Sequence, residues 1–248
     1  IVVGGRTTNS GQNDMLLARF KRDGSLDTSF SGDGWQAFDY TNQNDTVYDL
    51  VILESGRILI AGTVENESGD SLGAVVRFLP NGNLDTSFAD NGVFTHDFGR
   101  PGTTRCRAVV ELPDNRIAVA GYVGSNPDTD TDSFLLLLDE NGALDTSFGE
   151  DGVATLDLGG YERFSALLRQ PDGKLLVGGN GNNAGENDFC VSRYLLDGNR
   201  DTTFGTDGTA CQDAGSTTHD VILDMVLQGD RRILACGYTI GVNLDFLI

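Results

Sequence analysis

The chain has 248 residues, 39% of them hydrophobic, with 33 Gly against 5 Pro, a balance that excludes disorder and suits many short strands joined by tight turns. Its 37 acidic residues outnumber 17 Lys plus Arg for a formal charge of -20, which makes nucleic acid and anionic membrane surfaces poor partners. The longest apolar run, Phe134 to Leu138, has five residues and falls far short of the roughly 18 that a membrane helix needs, so no membrane insertion is expected.

Taken in chain order, Ile1 to Gly5 reads as the middle of a strand, and the sequence is expected to be a mature or trimmed piece of a longer chain. A polar stretch leads to Asp14 and a second strand. A motif then begins that recurs four times: Asp23-Gly-Ser-Leu-Asp-Thr-Ser-Phe30, Asn81-Gly-Asn-Leu-Asp-Thr-Ser-Phe88, Asn141-Gly-Ala-Leu-Asp-Thr-Ser-Phe148 and Asp197-Gly-Asn-Arg-Asp-Thr-Thr-Phe204. The spacings between its glycines, Gly24, Gly82, Gly142 and Gly198, are 58, 60 and 56 residues. A fixed period of this size marks a tandem-repeat architecture.

Each copy continues with an Asx-Gly turn (Asp33-Gly34, Asn91-Gly92, Asp151-Gly152, Asp207-Gly208) and a short strand ending near Asp39, Asp97, Asp157 or Asp213. An apolar stretch follows, then a turn such as Gln170-Pro-Asp-Gly173. The next strand ends in small residues: Arg57 to Gly62, Arg116 to Gly121, Lys174 to Gly179 and Arg232 to Gly237. A variable polar loop then leads to Asp70, Asp132, Asp188 or Asp245 and a further strand. Asx-Gly pairs accept the positive φ of tight hairpins, so the unit reads as four antiparallel strands. Four such strands cannot bury both faces alone, and stacking them radially predicts an all-β propeller.

The motifs resemble the delta-60 repeat family, best in the third copy at Leu144-Asp-Thr-Ser-Phe-Gly149 and Gln170-Pro-Asp-Gly-Lys174. The chain departs from that pattern at Asp114-Asn115, Gly229-Asp230-Arg231 and Arg200. The resemblance implies four-stranded blades of NHL-like strand order and a bacterial, extracytoplasmic setting at the cell surface, in the periplasm or outside the cell; it implies no known activity. With that order the strand before the Pro-Asp-Gly turn is innermost. The repeats then run about 1–39, 46–97, 104–157, 162–213 and 218–248. Three blades are complete and two partial, in a five-bladed ring or part of a larger one, with blade edges left open to self-association.

Candidate sites are sparse. The two histidines, His96 and His219, lie in different repeats, no Gly-x-Ser-x-Gly elbow occurs, and no CxxC or zinc spacing joins the four cysteines. Cys190 and Cys211 fall on neighbouring predicted strands and are the best disulfide pair. Asp128, Asp130 and Asp132 alternate as in the opening of a calcium loop, although Ser133 stands where the sharp-turn Gly belongs. At the channel mouth the innermost strands carry Arg105, Arg107 and Arg163, while Asp49 and Asp224 replace the Ala108 and Ala166 of matching positions. The turns facing one side barely vary, whereas the loops at 6–13, 63–69, 122–131, 180–187 and 238–244 vary freely and share the other side. Loops on a rigid scaffold are the usual place for recognition. The expected function is therefore a secreted or surface-exposed module that binds a protein, a glycan or a cation such as Ca²⁺ through those loops. The rival expectation is a calcium-dependent hydrolase resembling lactonase-type propellers, for which Asp49, Asp224 and Glu111 are the nominated acids.

Overall fold

The computed structural model describes residues 1–9, 11–99, 102–126, 130–158, 160–183, 186–213, 219–240 and 244–247. Among the described residues, eighteen strands are arranged in five antiparallel sheets. The first sheet holds β1 (Val2–Asn9), β2 (Gln12–Arg19) and β3 (Trp35–Phe38). The second holds β4 (Thr46–Ile52), β5 (Ile58–Glu65), β6 (Ser71–Phe78) and β7 (Val93–His96). The third runs β8 (Thr103–Glu111), β9 (Ile117–Asn126), β10 (Asp130–Leu138), β11 (Val153–Leu156). The fourth runs β12 (Arg163–Arg169), β13 (Leu175–Asn183), β14 (Glu186–Tyr194), β15 (Thr209–Gln212). The fifth has β16 (Asp220–Leu227), β17 (Ile233–Ile240) and β18 (Leu244–Leu247). Three blades are thus four-stranded and two three-stranded, the first beginning on its second strand and the fifth stopping on its third.

The first strands β4, β8, β12 and β16 lie against one another in succession and line the axis. Each sheet packs on the next, and among the described residues packing of that extent joins only sheets adjacent in sequence. The core is accordingly a series of layers between blades. Ile60 enters the layer shared with Met15 and Leu17 of the first sheet, whereas its neighbour Leu59 enters the layer shared with Val109 and Phe134 of the third. Because alternate strand residues face opposite sides and both sides are covered, the run Ile58-Leu-Ile-Ala61 is apolar throughout instead of alternating.

The signature motif closes each blade onto the next. Ser87 donates through both its backbone N–H and its hydroxyl to Asp85 Oδ1, while Arg57 Nε and Arg77 Nε donate to Asp85 Oδ2 at 2.9 and 2.8 Å. Phe88 is fully buried and meets the turn of the following repeat, where a Cβ on Gly142 would stand 2.6 Å from its ring. Phe30 does the same against Gly82, and the Ala89 N–H donates to the Asn141 carbonyl at 2.7 Å, as Ser31 does to Asn81. One repeat therefore supplies the phenylalanine and the next supplies the glycine that admits it.

Two expectations need correction. The strands before the variable loops do not end at their small residues. Gly62, Gly121, Gly179 and Gly237 are mid-strand, and β5, β9, β13 and β17 run on to Glu65, Asn126, Asn183 and Ile240. The loops taken as 6–13, 63–69, 122–131, 180–187 and 238–244 are therefore largely hairpin ladder. Second, the Asp matched to Asp14, Asp132 and Asp188 in the second repeat is not Asp70. Counted two residues past the mid-strand glycine, Thr7, Val64, Val123 and Gly181 pair with Asp14, Leu72, Asp132 and Asp188, so Leu72 holds that place.

Candidate functional site

Every described innermost strand carries a β-bulge at one level: between Val47 and Asp49, Cys106 and Ala108, Phe164 and Ala166, and Ile222 and Asp224. The bulge swings a carbonyl against the next strand. A Cβ on Gly62, Gly121, Gly179 or Gly237 would lie 2.0, 1.9, 1.7 or 1.8 Å from the oxygen of Thr46, Arg105, Arg163 or Val221. Only glycine tolerates that approach, which is why this residue recurs where no turn exists. The bulge residue is Tyr48, Arg107, Ser165 or Leu223, and the one two positions earlier is Thr46, Arg105, Arg163 or Val221.

In the third, fourth and fifth blades these positions, with the residue after each glycine, line a cavity of about 240 Å³ at the loop-bearing end of the channel. Arg105, Arg107, Arg163, Tyr122, Tyr161 and Tyr238 supply its character. Arg105 lies opposite Tyr122 in register and donates to the Tyr122 hydroxyl at 2.6 Å. The Arg163 guanidinium stands 4.6 Å from the Tyr122 ring centre and 4.1 Å from that of Tyr161, and Arg107 stands 4.3 Å from that of Tyr48. Rings thus separate and hold the three cations. Among the described residues neither Arg105 nor Arg107 forms an ion pair, and Arg107 Nε is buried without a hydrogen-bond acceptor. Another cavity, of about 320 Å³, opens on the turn-bearing side; its Arg57 and Arg77 are already committed to Asp85.

The five residues expected together at the mouth separate into two groups. Arg105, Arg107 and Arg163 converge. Asp49 and Asp224 lie one step further along the channel, near enough for Asp224 to raise the Asp49 pKa. Burial is the larger cause of that rise, offset by hydrogen bonds from the Val109 and Leu50 N–H groups to Asp49 at 2.9 and 2.8 Å. The Val109 bond makes Asp49 a tie between the second and third blades. Glu111 sits at the far end of β8, where it accepts from the Glu54 N–H, so the three acids nominated for a lactonase-like centre do not all come together.

The calcium-loop reading of Asp128, Asp130 and Asp132 does not match the backbone. Asp128 lies outside the described residues, and Asp130 and Asp132 are on strand β10, paired with Asn126 and Val123 across an irregularity. Asp132 instead joins Asp157 and Glu162, and Asp188, Asp213 and Asp220 form a like group; the sequence reading missed both. Cys190 and Cys211 are directly opposite in register and are disulfide-bonded. Cys106 is buried, which pushes its thiol up to about 12, and Cys236 is an exposed free thiol.

Among solved structures, the chain is similar to a protein of unknown function from Dyadobacter fermentans (TM-score 0.57, 13% identity, 95% of this chain and 63% of that one). It is also similar to a glucose dehydrogenase (TM-score 0.51, 12% identity, 99% of this chain and 76% of that one). At these identities the likeness is one of fold. The chain spans somewhat less than two thirds of the Dyadobacter structure. No curated protein matches it. The family model described as a domain of unknown function (DUF5122) beta-propeller matches residues 1–30, 54–88, 112–148 and 170–204. Each matched segment after the first enters on an inner hairpin and leaves at the buried or half-buried phenylalanine of the signature motif, and together they take in more than half of the chain. This chain therefore belongs to the DUF5122 β-propeller family.

Proposed function

We propose that this chain is an extracytoplasmic binding module whose channel mouth takes a small acidic group, best met by a uronic-acid residue of a glycan. The observation that carries this reading is the convergence of three guanidinium groups on one cavity of a strongly acidic protein, with the Nε of Arg107 buried and lacking an acceptor. A planar carboxylate would satisfy guanidinium donors in pairs, and the half-buried rings of Tyr161 and Tyr238 offer apolar area to a sugar ring. The cavity is smaller than the ~300–1,000 Å³ typical of drug-sized ligands, which suits one terminal sugar more than an internal stretch of chain. The delta-60 resemblance and the Cys190–Cys211 disulfide support an oxidising, extracytoplasmic location.

Titration calorimetry with galacturonate and galactose oligosaccharides tests the reading. The acidic series should bind and weaken with salt, the neutral series should not, and Arg107→Ala or Arg163→Ala should each lower affinity at least about tenfold. Equal affinity for both series, or an affinity indifferent to both substitutions, would remove the proposal.

A further inference from the structure

The acidic groups that the sequence reading missed are organised by the junctions between blades. At the third junction Asp132 comes from β10, Asp157 from the residue after β11, and Glu162 from the residue before β12; one carboxylate oxygen of each lies within 4.8 Å of the others. At the fourth, Asp188 of β14, Asp213 after β15 and Asp220 at the start of β16 meet the same limit. The registers place Asp14, Asp39 and Asp45 at the corresponding points of the first junction. The inner-strand acid is anchored in the same way at the first and third: the Asp45 N–H donates to the Asn13 carbonyl at 2.6 Å, and Glu162 N–H to the Thr131 carbonyl at 2.9 Å.

The second junction is the informative exception. Its places are taken by Leu72, Asp97 and Thr104, so two of the three acids are replaced at once. A solvated acidic patch gives no reason for joint loss, because each charge would be tolerated or lost alone. A shared ligand does.

Burial makes the same point independently. Asp45, Glu162 and Asp220 are fully buried, with Asp14 and Asp188 nearly so, and at the first junction the buried pair Asp45 and Asp14 brings two carboxylates of one sign into a dry place, where a cation between them would offset their repulsion. Asp45 shows what is missing. Its Oδ2 accepts from the Tyr40 N–H at 2.8 Å, while its buried Oδ1 has no hydrogen-bond partner. A buried acceptor left unsatisfied in a native fold calls for an explanation, and a hard cation supplies one.

We propose that Asp14/Asp39/Asp45, Asp132/Asp157/Glu162 and Asp188/Asp213/Asp220 are divalent-cation sites, suited to calcium, that clamp successive blades. The donors are all carboxylate oxygens, which favours a hard ion over zinc or copper, and three carboxylates contribute three to six of the six to eight oxygens that calcium takes. The first triad is the looser, so the third and fourth junctions should fill first.

The experiment is calcium titration of the whole chain, stripped with chelator, in about 0.5 M salt to suppress diffuse binding to its net charge. Wild type should bind at least two calcium ions saturably and melt at a higher temperature with calcium than without. Glu162→Gln and Asp220→Asn should each remove one equivalent and shrink that rise, while leaving the calcium-free melting temperature equal or higher. That last readout separates loss of a site from loss of fold. Leu72→Asp combined with Thr104→Asp should add an equivalent at the second junction. Absence of saturable binding in salt, or a stoichiometry unchanged in both the Glu162 and Asp220 variants, overturns the proposal.

Discussion

Phenylalanine and glycine of the signature motif form a knob and a socket on successive repeats, and the socket is shaped by a positive φ. Gly142 has φ of 86° and its hypothetical Cβ falls 2.6 Å from the Phe88 ring. Phe88→Ala should cost about 3–5 kcal/mol in urea denaturation, because the cavity left between two stiff sheets cannot collapse. Gly142→Ala should destabilise by more than about 1 kcal/mol from the other side of the same contact, through both the strained φ and the clash. Phe204 is only half-buried, so Phe204→Ala should cost less than Phe88→Ala. Equal losses at the two phenylalanines would contradict this account.

At the scale of the element, the bulge in each inner strand fixes where the mouth residues point. Gly121→Ala would drive a methyl group into the Arg105 carbonyl and shift both Arg105 and Arg107. It should weaken galacturonate binding at least about tenfold while Gly5→Ala, at a strand glycine with no neighbour within 4 Å, leaves binding unchanged. The hairpins and the four-strand unit were legible in the sequence because turn chemistry is local and the repeats agree on it. The bulge was not. Its cause is a carbonyl on another strand, so Gly121 looked like the end of a strand and the ladder to Asn126 looked like loop. Tyr122, Tyr161 and Tyr238 escaped notice for the opposite reason: aligning repeats rewards what they share, and the equivalent places of Tyr122 hold Thr63 and Asn180. The junction triads were split by the repeat boundary itself, which put Asp132 and Asp157 in one unit and Glu162 in the next.

Across the whole molecule, the same anchoring Asp recurs in successive blades. Asp27, Asp145 and Asp201 have pKa values lowered chiefly by the hydroxyls of Ser29, Ser147 and Thr203, with Arg19, Arg116 or Lys174 adding to the effect. An acid depressed on folding contributes stability that is complete above its ordinary pKa of 3.8 and is lost as pH falls through the lower folded value. The melting temperature should therefore drop steeply below about pH 4, and less steeply in a variant with Asp145→Asn and Asp201→Asn. The outermost sheets differ from the rest: Leu234 is 40% exposed where its counterpart Leu59 is 0%, and Val3 is 42% exposed where Ile60 is 0%. Each of these residues faces the side that a further blade would cover. The phenylalanine joint gives this geometry an evolutionary meaning. Since every full copy of the motif carries both a knob and a socket, any copy can follow any other, and unequal recombination that lengthens or shortens the array creates no new interface to be refined. Blade number is then free to drift while the joint stays fixed, and the mouth residues, which the joint does not constrain, can diversify copy by copy.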